Sequence, residues 1–113
     1  MLVVLTTTST FNEAEALAGK IVESRLGACV QILPQITSVY VWEGETRRES
    51  ECLLLIKTLS EKWDELREFI SANHSYEVPE IVAIDADAAK PYLAWLQAEL
   101  PSELSQDDAP PDH

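Results

Sequence analysis

Two apolar periodicities alternate along the chain and predict its elements. Met1 to Thr6 is a continuous run of leucine and β-branched residues, the pattern of a strand covered on both faces, and the polar Thr7 to Thr10 predict a turn after it. From Asn12, read as an N-cap, Ala14, Leu17, Ala18, Ile21, Val22 and Leu26 recur at spacings of three and four. They predict a helix with one buried face that Gly27 ends. Ala28 to Thr58 holds two long runs rich in Val, Ile, Leu, Thr, Tyr and Trp around one turn signal, Glu43-Gly44-Glu45. This predicts a hairpin whose arms reach roughly 45 Å, where a typical strand has about five or six residues. Such arms overshoot their own domain, and Pro34 predicts a bulge or an edge position in the first of them.

Ser60 is the expected cap of a second helix that turns Trp63, Leu66, Phe69 and Ile70 inward. Pro79 keeps Val78 out of the helical region, so the segment from His74 to Pro79 is a loop, and Ile81 to Ile84 predicts another strand. Asp87 opens a third helix, with Pro91 in its first turn and Tyr92, Leu93, Trp95, Leu96 and Leu100 along it. The order is that of an α+β, ferredoxin-like split βαβ sandwich with a long hairpin and an appended helix. Residues 1–100 form the one domain and 101–113 are expected to be a disordered acidic tail. Two crossover helices cover one sheet face, yet three strands look apolar on both, so the remaining face implies an oligomer with the hairpin reaching onto a neighbour.

The 113 residues carry a formal charge of −12, which excludes nucleic acid and anionic membranes as favoured partners. The apolar run Leu2 to Leu5 is too short for a signal peptide or a membrane span. With only two cysteines, Cys29 and Cys52, it points to a cytoplasmic protein with reduced thiols.

Candidate chemistry sits on the hairpin and on the loop before Pro79. Centring the turn on Gly44 and Glu45 pairs Trp42 with Arg47, Tyr40 with Glu49 and Ser38 with Glu51. Leu53, Leu55 and Lys57 then share that face, so Tyr40, Trp42, Glu49, Glu51 and Lys57 form an aromatic and charged strip. It reads as an inter-subunit ladder of ion pairs or as a ligand pocket at an interface. His74, Glu77 and Glu80 offer imidazole and carboxylates to a divalent ion such as copper, although His74 also suits a helix cap. Cys29 beside His74 would be the start of a nucleophilic enzyme, but Cys29 follows Gly27-Ala28, where a small buried residue is commonplace. The same register sets Cys29 opposite Ser60 and Cys52 opposite Thr37, so the thiols do not pair.

Several spaced blocks resemble the CutA family of divalent-cation tolerance proteins: Ala28-Cys29-Val30, Ser38 to Gly44, Glu51 with Leu54 and Lys57-Thr58, His74 to Ile81, and Tyr92-Leu93-Ala94-Trp95. The resemblance covers Val3 to Leu96. It implies a ferredoxin-like subunit, a tight homotrimer similar to the PII signalling proteins, clefts between subunits, and a link to copper tolerance. Some members carry a copper-binding cysteine at the position of Thr6, whose hydroxyl is a poor replacement for a thiolate, and the proline that follows the family's histidine is Ser75 here. The expected function is a non-enzymatic sensor that binds a small molecule through Cys29, Tyr40, Trp42, Glu51, Lys57, Tyr76 and Glu80, or a metal through His74 and Glu77.

Overall fold

The computed structural model describes residues 1–101. Its elements are β1 (Leu2–Thr8), α1 (Phe11–Glu23), β2 (Cys29–Trp42), β3 (Glu45–Thr58), α2 (Trp63–Ala72), β4 (Val82–Asp85) and α3 (Lys90–Glu99), with a short 3₁₀ turn at Ser60–Lys62 before α2. The four strands form one antiparallel sheet in the order β2-β3-β1-β4, the α+β architecture that the alternating periodicities predict. Of the tail expected at 101–113, all but Pro101 lies outside the described residues.

Local chemistry explains the boundaries. Thr10 rather than Asn12 caps α1, its hydroxyl accepting the Glu13 N–H at 3.1 Å. Thr7 and Thr8 extend β1 instead of turning, because both pair with β3, opposite Leu53 and Cys52. At the other end of α1 the left-handed residue is Arg25, with φ 58°, and not Gly27. Gly27 is needed for close approach: a Cβ there would lie 2.7 Å from Ile56 Cγ2 and 3.0 Å from Ile21 Cγ2. Gly27→Ala is therefore expected to destabilise the fold by about 1–3 kcal/mol through overpacking, read as a lowered denaturation midpoint with unchanged secondary structure.

The hydrophobic core lies under one sheet face. Leu2, Val4, Leu54 and Ile56 alternate onto it and meet Ala14, Leu17 and Ile21 of α1 and Leu66 and Ile70 of α2, all buried. Thr58, also buried, donates its hydroxyl to the Leu26 carbonyl at 2.7 Å. The opposite face is covered less completely. Val3, Leu5, Leu53 and Leu55 are half-buried there, and Val82 and Ile84 are 45% and 48% exposed.

The hairpin overshoots its own sheet. β1 accompanies β3 only from Thr58 to Cys52, so Glu45 to Glu51 pair with β2 alone and form a two-stranded ribbon. The chain extends 58 Å along its longest axis against 29 and 23 Å across. Glu43 and Gly44 turn the ribbon, with φ of 52° and 80°, which is the double left-handed conformation of a tight hairpin turn. The turn is thus centred one residue earlier than the sequence pattern predicts. Tyr40 lies opposite Arg47, Ser38 opposite Glu49 and Ile36 opposite Glu51. That displacement of two keeps every residue from Ile36 to Glu51 on its expected face. The bulge predicted at Pro34 is present between Leu33 and Ile36, with Gln35 at φ 59°.

Candidate functional site

Where the ribbon leaves β1 behind, the loop between α2 and β4 folds over the end of β1 and faces the ribbon. Together they enclose a cavity of about 630 Å³. Tyr40, Trp42, Arg47, Glu49 and Glu51 line it from the hairpin, Ser75 to Glu80 from the loop, and Thr7 from β1. Five of the residues singled out from the sequence as ligand-binding, Tyr40, Trp42, Glu51, Tyr76 and Glu80, meet here, and Glu77 joins them.

Two hydrogen-bonded links hold the loop to the sheet. Tyr76 Oη donates to Glu51 Oε2 at 2.6 Å, joining residues 25 apart in sequence. His74 makes the other. Its Nε2 lies 2.6 Å from the Thr7 carbonyl, and its Nδ1 accepts the Tyr76 N–H at 3.0 Å. A carbonyl can only accept, so Nε2 carries the proton and Nδ1 is bare. The imidazole also packs on the Tyr76 ring, with centroids 4.8 Å apart. Capping of α2 falls instead to Asn73, whose side chain donates to the Phe69 carbonyl at 2.9 Å. A smaller cavity of about 150 Å³ lies behind the loop against α1, where Ser75 Oγ donates to Glu13 Oε2 at 3.1 Å.

Glu51 is only 7% exposed. Among the described residues the ion pairs are Arg25–Glu99 and Arg67–Asp64, so neither Glu51 nor any other carboxylate of the cavity is matched by a cation. Burial and then the Glu51 carboxylate hold the Tyr76 phenol far above its ordinary range. Tyr40 is raised by desolvation and then by Glu49. Tyr92 is raised by desolvation and then by the neighbouring Cys29. The stability these neutral phenols contribute is present below their ordinary value of 10.0 and lost as pH rises through their higher folded values. An alkaline titration of phenolate absorbance is therefore expected to run above that of the denatured chain for all three tyrosines.

Lys57 and Cys29 stand elsewhere. They are opposed on β3 and β2, six residues along β3 from Glu51, or roughly 20 Å. Lys57 Nζ donates to Gln31 Oε1 at 3.0 Å, so Gln31 and not Glu51 is its partner. The bulge brings Gln31 there, because the extra residue moves Cys29 and Gln31 onto the face of Lys57. Cys29 is offset from the Thr7 anchor of His74 by about four residues along the strands, roughly 13 Å, and lies two strands across the sheet, so the two do not form a nucleophile and base. Cys52 is buried on the core face, opposite Thr8. Thr6 is fully buried there too, its Oγ1 without a hydrogen-bond partner, so no ligand set for copper forms around it. Among the described residues no three His, Cys, Asp or Glu side chains are grouped as metal ligands. Sequence reasoning missed Thr7, whose carbonyl anchors His74, and Arg47 as a wall of the cavity.

The profile of the CutA1 divalent ion tolerance protein matches residues 2–99. The chain belongs to the CutA1 family. It is 45% identical over 96 residues to the divalent-cation tolerance protein CutA of Thermus thermophilus, covering 84% of this chain and 93% of that one. It is 42% identical over 97 residues to the chloroplastic CutA 1 of Oryza sativa, covering 85% of this chain and 55% of the relative. The crystal structure of a point variant of CutA1 from Pyrococcus horikoshii superposes with a TM-score of 0.87 at 34% identity over 90% of this chain and 100% of the other. This CutA1 chain spans about half the length of the plant and animal relatives it matches. No helix among the described residues is long and apolar enough to cross a membrane.

Proposed function

We propose that this CutA1 chain is a cytoplasmic, PII-like homotrimer that binds a small molecule and catalyses no reaction. The observation that carries the reading is the meeting of Tyr40, Trp42 and Glu51 with Tyr76 and Glu80 around one cavity. Aromatic walls with a few converging polar groups are the usual lining of a ligand site. The open sheet face and the unsupported ribbon favour assembly, since a two-stranded hairpin is marginal alone and a neighbouring subunit would cover both. The cavity then becomes an inter-subunit cleft. Light scattering is expected to give the mass of a trimer at micromolar concentration. A thermal-shift panel of amines, carboxylates, nucleotides and sugars is expected to contain compounds that raise the midpoint, and Trp42→Ala should lose that response without losing assembly. A panel without any such compound would sink the reading.

The relatives' names, which speak of divalent-cation tolerance, support a second reading, a dedicated metal-binding protein that would use His74 with nearby carboxylates such as Glu77 on copper or another divalent ion. His74 spends both ring nitrogens on the backbone, so a metal must break the Thr7 or the Tyr76 contact to reach it. Equilibrium dialysis against copper, with His74→Ala as control, separates the two readings.

A further inference from the structure

The cavity has a sign. Glu49, Glu51, Glu77 and Glu80 line it against the single guanidinium of Arg47, a balance that opposes an anion. Glu51 is the decisive residue. It is buried, and its one observed partner is a neutral phenol, so its charge is left to be matched by something entering the cavity. A bare divalent ion would draw on several hard or imidazole donors in one place. The carboxylates are instead spread over a ribbon and a loop, while the nearest imidazole is fully engaged. The remaining walls include the rings of Trp42, Tyr40 and Tyr76, which carry no charge.

Carboxylates beside exposed aromatic faces are the combination that holds an organic ammonium, through ion pairing on one side and ring quadrupoles on the other. Trp42 and Tyr40 are 38% and 37% exposed, leaving ring surface available to a ligand. Resting on the small-molecule reading above, we propose that the cavity takes a small organic cation, a primary or quaternary ammonium, with its charged head beside Glu51 and Glu49 and its carbon surface against Trp42, Tyr40 and Tyr76. Arg47 sets the orientation. It is the one cation among the lining residues, so the charged head is repelled from that part of the wall and the ligand's tail lies toward it.

The test is calorimetric titration of the assembled protein with choline, n-butylammonium, the uncharged dimethylbutanol analogue of choline, n-butanoate, and the chlorides of copper, zinc and magnesium. The ammonium compounds are expected to bind about tenfold or more tightly than the uncharged analogue and the carboxylate. Glu51→Gln should cost the cations about tenfold and leave the uncharged analogue unchanged, while Trp42→Ala should weaken both. Tyr76→Phe, which keeps the ring and the shape, guards against reading a misfolded Glu51 variant as lost recognition. Tighter binding of n-butanoate or of a metal, lost in Trp42→Ala, overturns the cation class while the ligand site stands. Absence of binding by every probe, with no response in a wider thermal-shift panel, overturns both.

Discussion

Leu55→Asp is expected to turn the assembled protein into a folded monomer, while Leu54→Asp, one residue earlier, is expected to leave no stable fold. The two side chains sit on opposite faces of β3. Leu54 is fully buried between the sheet and the helices, and truncation of such a leucine even to alanine costs about 2–5 kcal/mol. A carboxylate there loses the packing and is stripped of water as well, at several kcal/mol more by order of magnitude. Leu55 shares the less covered face with Val3, Leu5, Leu53, Val82 and Ile84. In an isolated subunit a charge at that position keeps its water, so the fold survives. In an interface it must be desolvated once per subunit, which is more than a divided core tolerates. Light scattering with circular dichroism reads both outcomes. Intact assembly of the Leu55 variant would show that subunits meet along the hairpin edge and leave this face to solvent.

The same alternation explains how much of the structure the sequence reveals. The order of elements, the overlong hairpin and the bulge at Pro34 are visible because each rests on local chemistry: a period of two or of 3.6, a Glu-Gly turn, a missing donor. The hairpin register is less visible. Glycine supplies one left-handed residue at no cost, but the turn needs two, and the other is Glu43, which nothing in its own chemistry marks for that conformation. Centring the turn on Gly44-Glu45 moves every pair from Ile36 to Glu51 by two yet preserves their faces, so the strip of Tyr40, Trp42 and Glu51 is placed correctly while its partners are not. The bulge carries the larger consequence. It reverses the alternation along β2 and so sets Gln31 beside Lys57, which its six-residue offset from Glu51 along β3 already keeps from the acids. The convergence of Tyr76 with Glu51 has no local signal at all, since it depends on where α2 releases the loop: the hairpin pattern marks Glu51 and the loop before Pro79 carries Tyr76, but neither pattern joins them.

His74→Phe is expected to open the site with little harm to the fold. The aromatic volume and the contact with Tyr76 are retained, but the Thr7 carbonyl loses its donor and the Tyr76 N–H loses its acceptor. His74 and Tyr76 are both half-buried, so water replaces part of each bond, and a net loss of about 0.5–1.5 kcal/mol per hydrogen bond is the expected scale. The core formed by Leu54, Ile56, Leu66 and Ile70 does not involve these groups, and the denaturation midpoint should fall only modestly. The loop then keeps the Tyr76–Glu51 bond to the ribbon and the exposed Ser75–Glu13 bond to α1, and without the imidazole these two must order it. Loss of that order is directly readable: the Tyr76 phenol, held high by burial and by Glu51, should titrate closer to its ordinary value of 10.0, while Tyr40 and Tyr92 stay where they are. Choline binding should weaken in parallel, and copper uptake should not change, because both imidazole nitrogens are already committed to the backbone. A fall in copper uptake with unaltered tyrosine titration would show the reverse, that His74 leaves its backbone partners to ligate metal.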